Sequence, residues 1–122
     1  MIEVVINRLP NSKLSPNARV HWRTRHKAGS EDMEEIIPIV WLAKEGVKGL
    51  PYKKAHISIE WVAKDRRKRD MDNLLSASKY FIDSLRHGGI ILDDDAENVS
   101  YSLAYRVSKE EGPQTIIRIE PA

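Results

Sequence analysis

The chain contains no cysteine and no long uncharged hydrophobic run. The absence of cysteine excludes disulfide bonds, thiolate zinc sites and cysteine nucleophiles. No segment approaches the ~18 uncharged apolar residues that a membrane span requires. The N-terminus also lacks the basic-then-apolar layout of a secretory signal. We therefore expect a cytoplasmic protein that does not cross a membrane.

Glycine and proline are also sparse, with 6 residues of each, and the rest of the composition is that of an ordinary globular protein. Hydrophobic residues make up 41% of the chain and charged residues 31%. A length of 122 residues leaves room for one domain, residues 1–122, with one core. The net charge of +2 is too small to indicate a partner.

The small net charge conceals a strong segregation of charges along the chain. Residues 1–30 contain six basic residues and one acidic residue, a local charge of +5. Residues 64–69 contain five cations in six positions and run directly into Asp70-Met71-Asp72, and residues 93–95 are all aspartate. A single charge run is usually a solvated loop. Several runs of like charge are harder to explain in that way, because they cost energy unless an ion or a partner compensates them.

Hydrophobic periodicity predicts the element order β-α-β-α-β-β. Alternating apolar residues predict strands at 2–9, 55–63, 99–107 and 115–119. Helical spacing predicts one helix that begins at Ser30, ends near Glu45 and kinks at Pro38. A second helix is predicted over 71–87, ending at Gly88-Gly89. This order predicts a small α+β domain whose mixed sheet is covered on one face by two main helices.

Carboxylates and a lysine share one face of the second predicted helix. Asp70 and Asp72 begin this helix, and Lys79 returns to nearly the angular position of Asp72 two turns later. Carboxylate oxygens bind Mg²⁺ or Mn²⁺, and an ammonium group offsets the charge of a phosphate. Alternatively, Asp70 is a simple N-cap, Asp72 interacts with the helix dipole, and Lys79 is an ordinary exposed lysine. Asp94 or Asp95 could complete a metal site only if the tertiary fold brought it back to Asp72.

The segment 15–27 interleaves cations with an aromatic residue and histidines. Trp22 and His21 lie among Arg19, Arg23 and Arg25. This mixture suits contact with phosphates and stacking on bases. The alternative is an exposed basic loop whose Trp22 packs into the core.

Together these segments resemble the RusA family of Holliday junction resolvases. Residues 69–74 (RDMDNL) are similar to the family's R-D-x-D-N-L core. The acidic run 93–95, followed by Val99, resembles the family's apolar-D-D…V element. Ser15-x-Asn17 and His21-Trp22 resemble its N-terminal S-x-N pattern and the aromatic, basic stretch beyond it.

The resemblance implies a Mg²⁺-dependent endonuclease, in which Mn²⁺ can also serve, acting on branched DNA such as a four-way junction. It makes Asp70, Asp72 and either Asp94 or Asp95 the metal-binding catalytic carboxylates. Counting forward from Leu92 favours Asp94, and counting back from Val99 favours Asp95.

The resemblance also identifies basic residues and an oligomeric state. Ser76 stands where well-known family members carry a lysine, and Lys79, on the same stripe, is expected to take over that role. Symmetric cutting of a junction implies a homodimer. The residues expected to contact DNA are Arg66, Arg67, Lys68, Arg69, Arg19, His21, Trp22, Arg23 and Arg25.

Two other functions fit parts of this pattern. One is a non-catalytic DNA-binding module with a degraded site, which the serine at position 76 favours. The other is a structural domain whose acidic residues serve only as caps and turns. The substitution Asp72→Asn separates the enzyme from these alternatives. In an enzyme it should abolish cutting but leave DNA binding intact. In a structural domain it should alter the melting temperature rather than any DNA activity.

Overall fold

The computed structural model describes residues 1–14 and 20–122. Its central feature is a four-stranded mixed sheet. Its strands in chain order are β1 (Ile2–Ile6), β2 (Ala55–Ala63), β3 (Val99–Val107) and β4 (Gln114–Pro121). The order across the sheet is β1-β4-β2-β3, in which β4 is antiparallel to both of its neighbours and β2 is parallel to β3. The predicted bounds of β2 and β3 are confirmed.

The end strands differ from their predicted lengths. β1 ends at Ile6 rather than at residue 9, and the carbonyl of Arg8 instead accepts a hydrogen bond from the Thr115 hydroxyl at 2.9 Å. β4 is longer than predicted, because its pairing with β2 extends from Gln114 to Pro121.

The first helix, α1 (Trp22–Ala43), begins eight residues before the predicted start at Ser30. The prediction of the start is wrong because His21 provides the N-cap: its side chain accepts a hydrogen bond from the Arg23 backbone N–H at 3.1 Å. The helix continues through Pro38. As a result, Arg23 and Arg25 lie on a helix rather than in a loop.

Two shorter helices replace the single helix predicted over 71–87. They are α2 (Met71–Ala77) and α3 (Lys79–His87), separated at Ser78. The Ser78 hydroxyl accepts a hydrogen bond from Trp61 Nε1 at 3.1 Å and donates one to the Leu74 carbonyl at 2.8 Å. The buried indole of β2 is thereby fixed to the point where the two helices meet.

The core lies between these helices and one face of the sheet. Its largest fully buried side chains include Trp61, Phe81, Ile59, Leu85 and Ile117. The predicted α+β class, with helices against one face of a mixed sheet, is confirmed. Within the described ranges, no helix is both long enough and apolar enough to cross a bilayer.

Candidate functional site

Asp94 and Lys79 lie together where α3 faces the edge strand β3. Both line a cavity of about 220 Å³, together with Leu75, Ile82 and Tyr101. The chain reaches this position because it reverses after α3 at Gly89, whose φ of +85° requires glycine. The tertiary fold thus returns the acidic run to the helical segment. It places Asp94 in the cavity that Lys79 lines, however, and Asp72 does not line that cavity.

Asp83 also belongs to this cluster, although it is not among the site residues predicted from the sequence. Burial raises the pKa of Asp83; the charge of Lys79 opposes this shift, and the nearby Asp94 adds to it. Burial and the carboxylates of Asp94 and Asp83 likewise raise the pKa of Tyr101. The signal for Asp83 was present in the sequence, because it lies one turn after Lys79 on a polar stripe. No comparable pattern indicated Tyr101.

Asp70 lines a second cavity, of about 250 Å³, at the start of α2. It occupies the N-cap position, yet its side chain makes no capping hydrogen bond. Asp70 therefore stands at the N-cap position that the sequence indicated, but its carboxylate does not cap the helix by a hydrogen bond. Asp72, in the first turn of α2, accepts a hydrogen bond from the Asn73 backbone N–H at 3.0 Å. Both aspartates are exposed and form no salt bridge within the described residues.

Asp95 differs from Asp94 in its contacts. Its Oδ1 accepts hydrogen bonds from the backbone N–H groups of Asn98 at 2.9 Å and Glu97 at 3.2 Å. The Asp95 carboxylate therefore stabilises the turn that precedes β3, while Asp94 lines the cavity beside Lys79. Of the two positions that the sequence left open, Asp94 is the one that shares a cavity with Lys79.

The carboxylates fit a divalent cation by their chemistry but are not gathered into one cluster. Oxygen donors of this type are those that Mg²⁺ prefers. Across residues 1–14 and 20–122, however, no three acidic or histidine side chains lie close enough to hold one ion. Asp70 lines one cavity and Asp94 the other. Binding one metal ion to all three predicted ligands would therefore require them to move closer together.

Residues 66–69, immediately before α2, comprise one anchored cation and three exposed ones. The guanidinium group of Arg69 donates to the Tyr105 hydroxyl at 3.1 Å and to Asp65 Oδ1 at 2.9 Å. The Arg67 backbone N–H, followed by the Arg69 side chain, lowers the pKa of Asp65. Arg66, Arg67 and Lys68 are exposed to solvent. The segment is thus fixed at one end against β3 and presents its other cations outward.

Trp22 is exposed at the start of α1, with 66% of its surface accessible. Its ring lies 5.6 Å from that of His21, and the Arg23 guanidinium lies 5.4 Å from the centre of the indole. The alternative in which Trp22 packs into the core is therefore wrong. Arg25 lies on the same helix, whereas Arg19, Ser15 and Asn17 lie outside the described residues.

Comparison with protein families gives one match over most of the chain. The family model described as endodeoxyribonuclease RusA matches residues 17–120, a range that contains every predicted site residue. No curated protein matches the chain.

Proposed function

Since this chain belongs to the RusA family of endodeoxyribonucleases, we propose that it cuts Holliday junctions by Mg²⁺-dependent hydrolysis of phosphodiester bonds. One observation supports this reaction more than any other. The fold brings Asp94, from the acidic run, to the same cavity as Lys79, which lies on the helical segment that begins with the RDMDNL motif. A carboxylate from the acidic run and a lysine that follows the RDMDNL motif thereby share one cavity.

Asp70, Asp72 and Asp94 are the residues proposed to hold the metal. Mg²⁺, or Mn²⁺ in its place, would supply Lewis acidity and activate a water molecule. Asp70 and Asp72 are exposed, and neither forms a salt bridge within the described residues, so their oxygens are accessible to an ion. We assign Asp95 to the turn before β3, because two backbone N–H groups already occupy its Oδ1.

Lys79 is proposed to offset the negative charge that develops on the phosphate. Its side chain lines the cavity of Asp94, and its charge acts on Asp83. The Ser76 side chain does not line this cavity, and it carries no charge. Lys79 therefore takes the place of the lysine that the family carries one turn after the second aspartate.

DNA binding is assigned to two basic surfaces. Arg66, Arg67 and Lys68 are exposed immediately before Asp70 and would grip the phosphate backbone beside the cut. At the start of α1, the exposed Trp22 with Arg23 against its ring offers a stacking surface with an adjacent cation. The enzyme is proposed to act as a homodimer, since paired symmetric cuts require two sites related by a two-fold axis.

The test is incubation with a labelled four-way junction and with linear duplex of the same sequence, in Mg²⁺ or in EDTA. We expect paired, symmetric nicks in the junction only, and only with Mg²⁺. Asp72→Asn should reduce the cutting rate on the order of 10²-fold or more, because it removes a charged group from the reacting centre. Its junction affinity, measured by mobility shift, should remain that of the wild type.

Glu34→Gln, an exposed carboxylate on α1, is the control and should cut like the wild type. Binding without nicks by the wild-type chain would contradict the proposed reaction and favour the non-catalytic module. Absence of both binding and cutting would favour a structural domain.

A further inference from the structure

The cavity that contains Asp70 is apolar at its base and polar at its rim. It lies between α2 and the segment that follows β1, with a volume of about 250 Å³. Leu74 and Ala77, which lie at its base, are buried. Its remaining lining residues are Leu9, Pro10, Ser12, Lys68, Arg69, Asp70 and Asn73.

Two polar side chains at this cavity have unused hydrogen-bonding capacity. The Asn73 side-chain amide has two donors and an acceptor, and the Ser12 hydroxyl has one donor and acceptor sites. Neither side chain makes a hydrogen bond within residues 1–14 and 20–122, although the Asn73 backbone N–H donates to Asp72. The rim can therefore form hydrogen bonds to a ligand without breaking bonds in the protein.

This combination fits a flat ring with a hydrogen-bonding edge. Apolar side chains such as Leu9, Pro10 and Leu74 can pack against the faces of a ring, while the polar groups of Ser12 and Asn73 reach its edge. The volume lies just below the range of about 300–1,000 Å³ that is typical of drug-sized ligands, so the cavity suits a single small ring system. Lys68 and Arg69 place positive charge beside it, where an attached phosphate would lie.

We propose that this cavity binds one nucleobase, unstacked from the branch point of the DNA, and reads its edge through Asn73 and Ser12. The inference rests on the proposed function, because Asp70 of the catalytic site lines the same cavity. A nucleotide whose phosphate lies at Asp70 has its base within reach of this space. Extracting a base costs least where it is already poorly stacked. The cavity would therefore favour branched DNA over linear duplex.

The test uses four-way junctions carrying the fluorescent base 2-aminopurine at single positions around the branch point. Asp72→Asn binds each junction in EDTA, so that neither metal nor cutting contributes to the signal. We expect a several-fold increase in fluorescence at one position, where the base leaves the stack. Adding Ser12→Phe, an exposed position at the cavity rim, should abolish the increase while mobility shifts still show binding. Ser30→Phe, the same change at an exposed position of α1 outside the cavity, should leave the increase intact.

Recognition of the base is tested separately. Cutting assays compare junctions that differ only in the base at the position where fluorescence increased. Asn73→Ala should reduce the ratio of cutting rates between the preferred base and the other bases by on the order of 10-fold, whatever its overall rate. An unchanged ratio would show that Asn73 does not read the base.

The outcomes distinguish this inference from the proposed function. Binding without a fluorescence increase at any position overturns the nucleobase site but leaves the nuclease intact. An increase that survives Ser12→Phe overturns the placement of the base in this cavity. A fluorescence increase in Asp72→Asn, combined with no metal-dependent cutting by the wild type, supports the cavity and contradicts the reaction. Absence of junction binding overturns both.

Discussion

Neighbouring aspartates in the acidic run have different contacts, and from these contacts we infer different roles. Asp95 accepts two backbone hydrogen bonds within its own turn, whereas Asp94 lies beside Lys79 in the cavity. Sequence spacing narrowed the choice to these two positions. Spacing could not decide between them, because the choice depends on which carboxylate accepts the backbone hydrogen bonds of the turn before β3.

Alanine substitutions of these two aspartates should have opposite effects. Asp95→Ala should lower the free energy of unfolding by about 1–2 kcal/mol, because it removes an ionised acceptor of two backbone N–H groups. Its cutting rate should stay within a few-fold of the wild type. Asp94→Ala should keep the wild-type stability but lose cutting on the order of 10²-fold. Urea unfolding and junction assays measure both quantities, and the reverse pattern would assign the catalytic role to Asp95.

Asp32, on α1, is a buried carboxylate that affects stability through pH. Its side chain is 4% exposed, Oδ1 contacts Arg8 at 2.5 Å, and Oδ2 has no partner among the described residues. Burial raises its pKa above the usual 3.8, and the guanidinium of Arg8 opposes that shift only in part. The folded chain therefore holds this proton more tightly than the unfolded chain does.

The pH dependence that follows has a definite sign. As pH rises from the usual pKa of 3.8 through the raised value, Asp32 in the folded state loses its proton and its contribution to stability falls. The free energy of unfolding of the wild type, minus that of Asp32→Asn, should therefore decrease with pH across this window. Urea titrations at several pH values measure this difference. Glu34→Gln, an exposed change on the same helix, serves as the comparison. A difference that does not vary with pH would contradict the assignment to Asp32.

Among the elements, strands were easier to predict than helix ends. The bounds of β2 and β3 followed from alternation alone, because an apolar-polar period of two is a local signal. The start of α1 was missed because its N-cap is a histidine rather than one of the usual capping residues. The break at Ser78 depends on its hydrogen bond with Trp61, a contact between residues distant in the chain that no local pattern reveals.

The packing of α1 against α3 depends on the small size of Gly29. A Cβ atom at this position would lie 2.3 Å from Tyr80 Cζ. Gly29→Ala should therefore destabilise the fold by about 1–3 kcal/mol through overpacking. In a Tyr80→Ala background the ring is absent, and the same change should stabilise the helix by up to ~1 kcal/mol, because alanine is the better helix former. Urea unfolding of the wild type, the two single variants and the double variant gives the coupling free energy between positions 29 and 80. Equal effects of Gly29→Ala in both backgrounds would contradict this account.

For the molecule as a whole, β3 is an edge strand of the described sheet and offers a surface on which a second chain could pair. This strand is nine residues long, whereas β1 at the opposite edge has five. It contains no lysine or proline, the residues that commonly protect an edge. Its one charged residue, Arg106, is already engaged by Glu60 and Glu111. Leu103 and Tyr101 remain partly exposed on the face that bears the helices.

We predict that two chains pair along β3, which would bring both candidate sites onto one face of a continuous sheet. Leu103→Lys should then convert a dimer to a monomer in light-scattering measurements, because pairing would bury the new charge. Val5→Lys is the matched control, since Val5 lies on the opposite edge strand and is equally exposed, at 38% for each residue. Dissociation by Val5→Lys alone would place the interface at β1, and a monomeric wild type would contradict the proposed homodimer.

The interior position of β4 has a consequence for biosynthesis. Among the described strands, β1 pairs with β4 alone, so Ile2 cannot pair until its partner Ile119 has been synthesised. While the ribosome still holds residues 114–121, the nascent chain can form the parallel pair β2–β3 but leaves the apolar side chains of β1 without a strand to join. Folding of the complete sheet is therefore a late event in synthesis, and until that point the apolar side chains of β1 lack the strand beside which they pack in the folded protein.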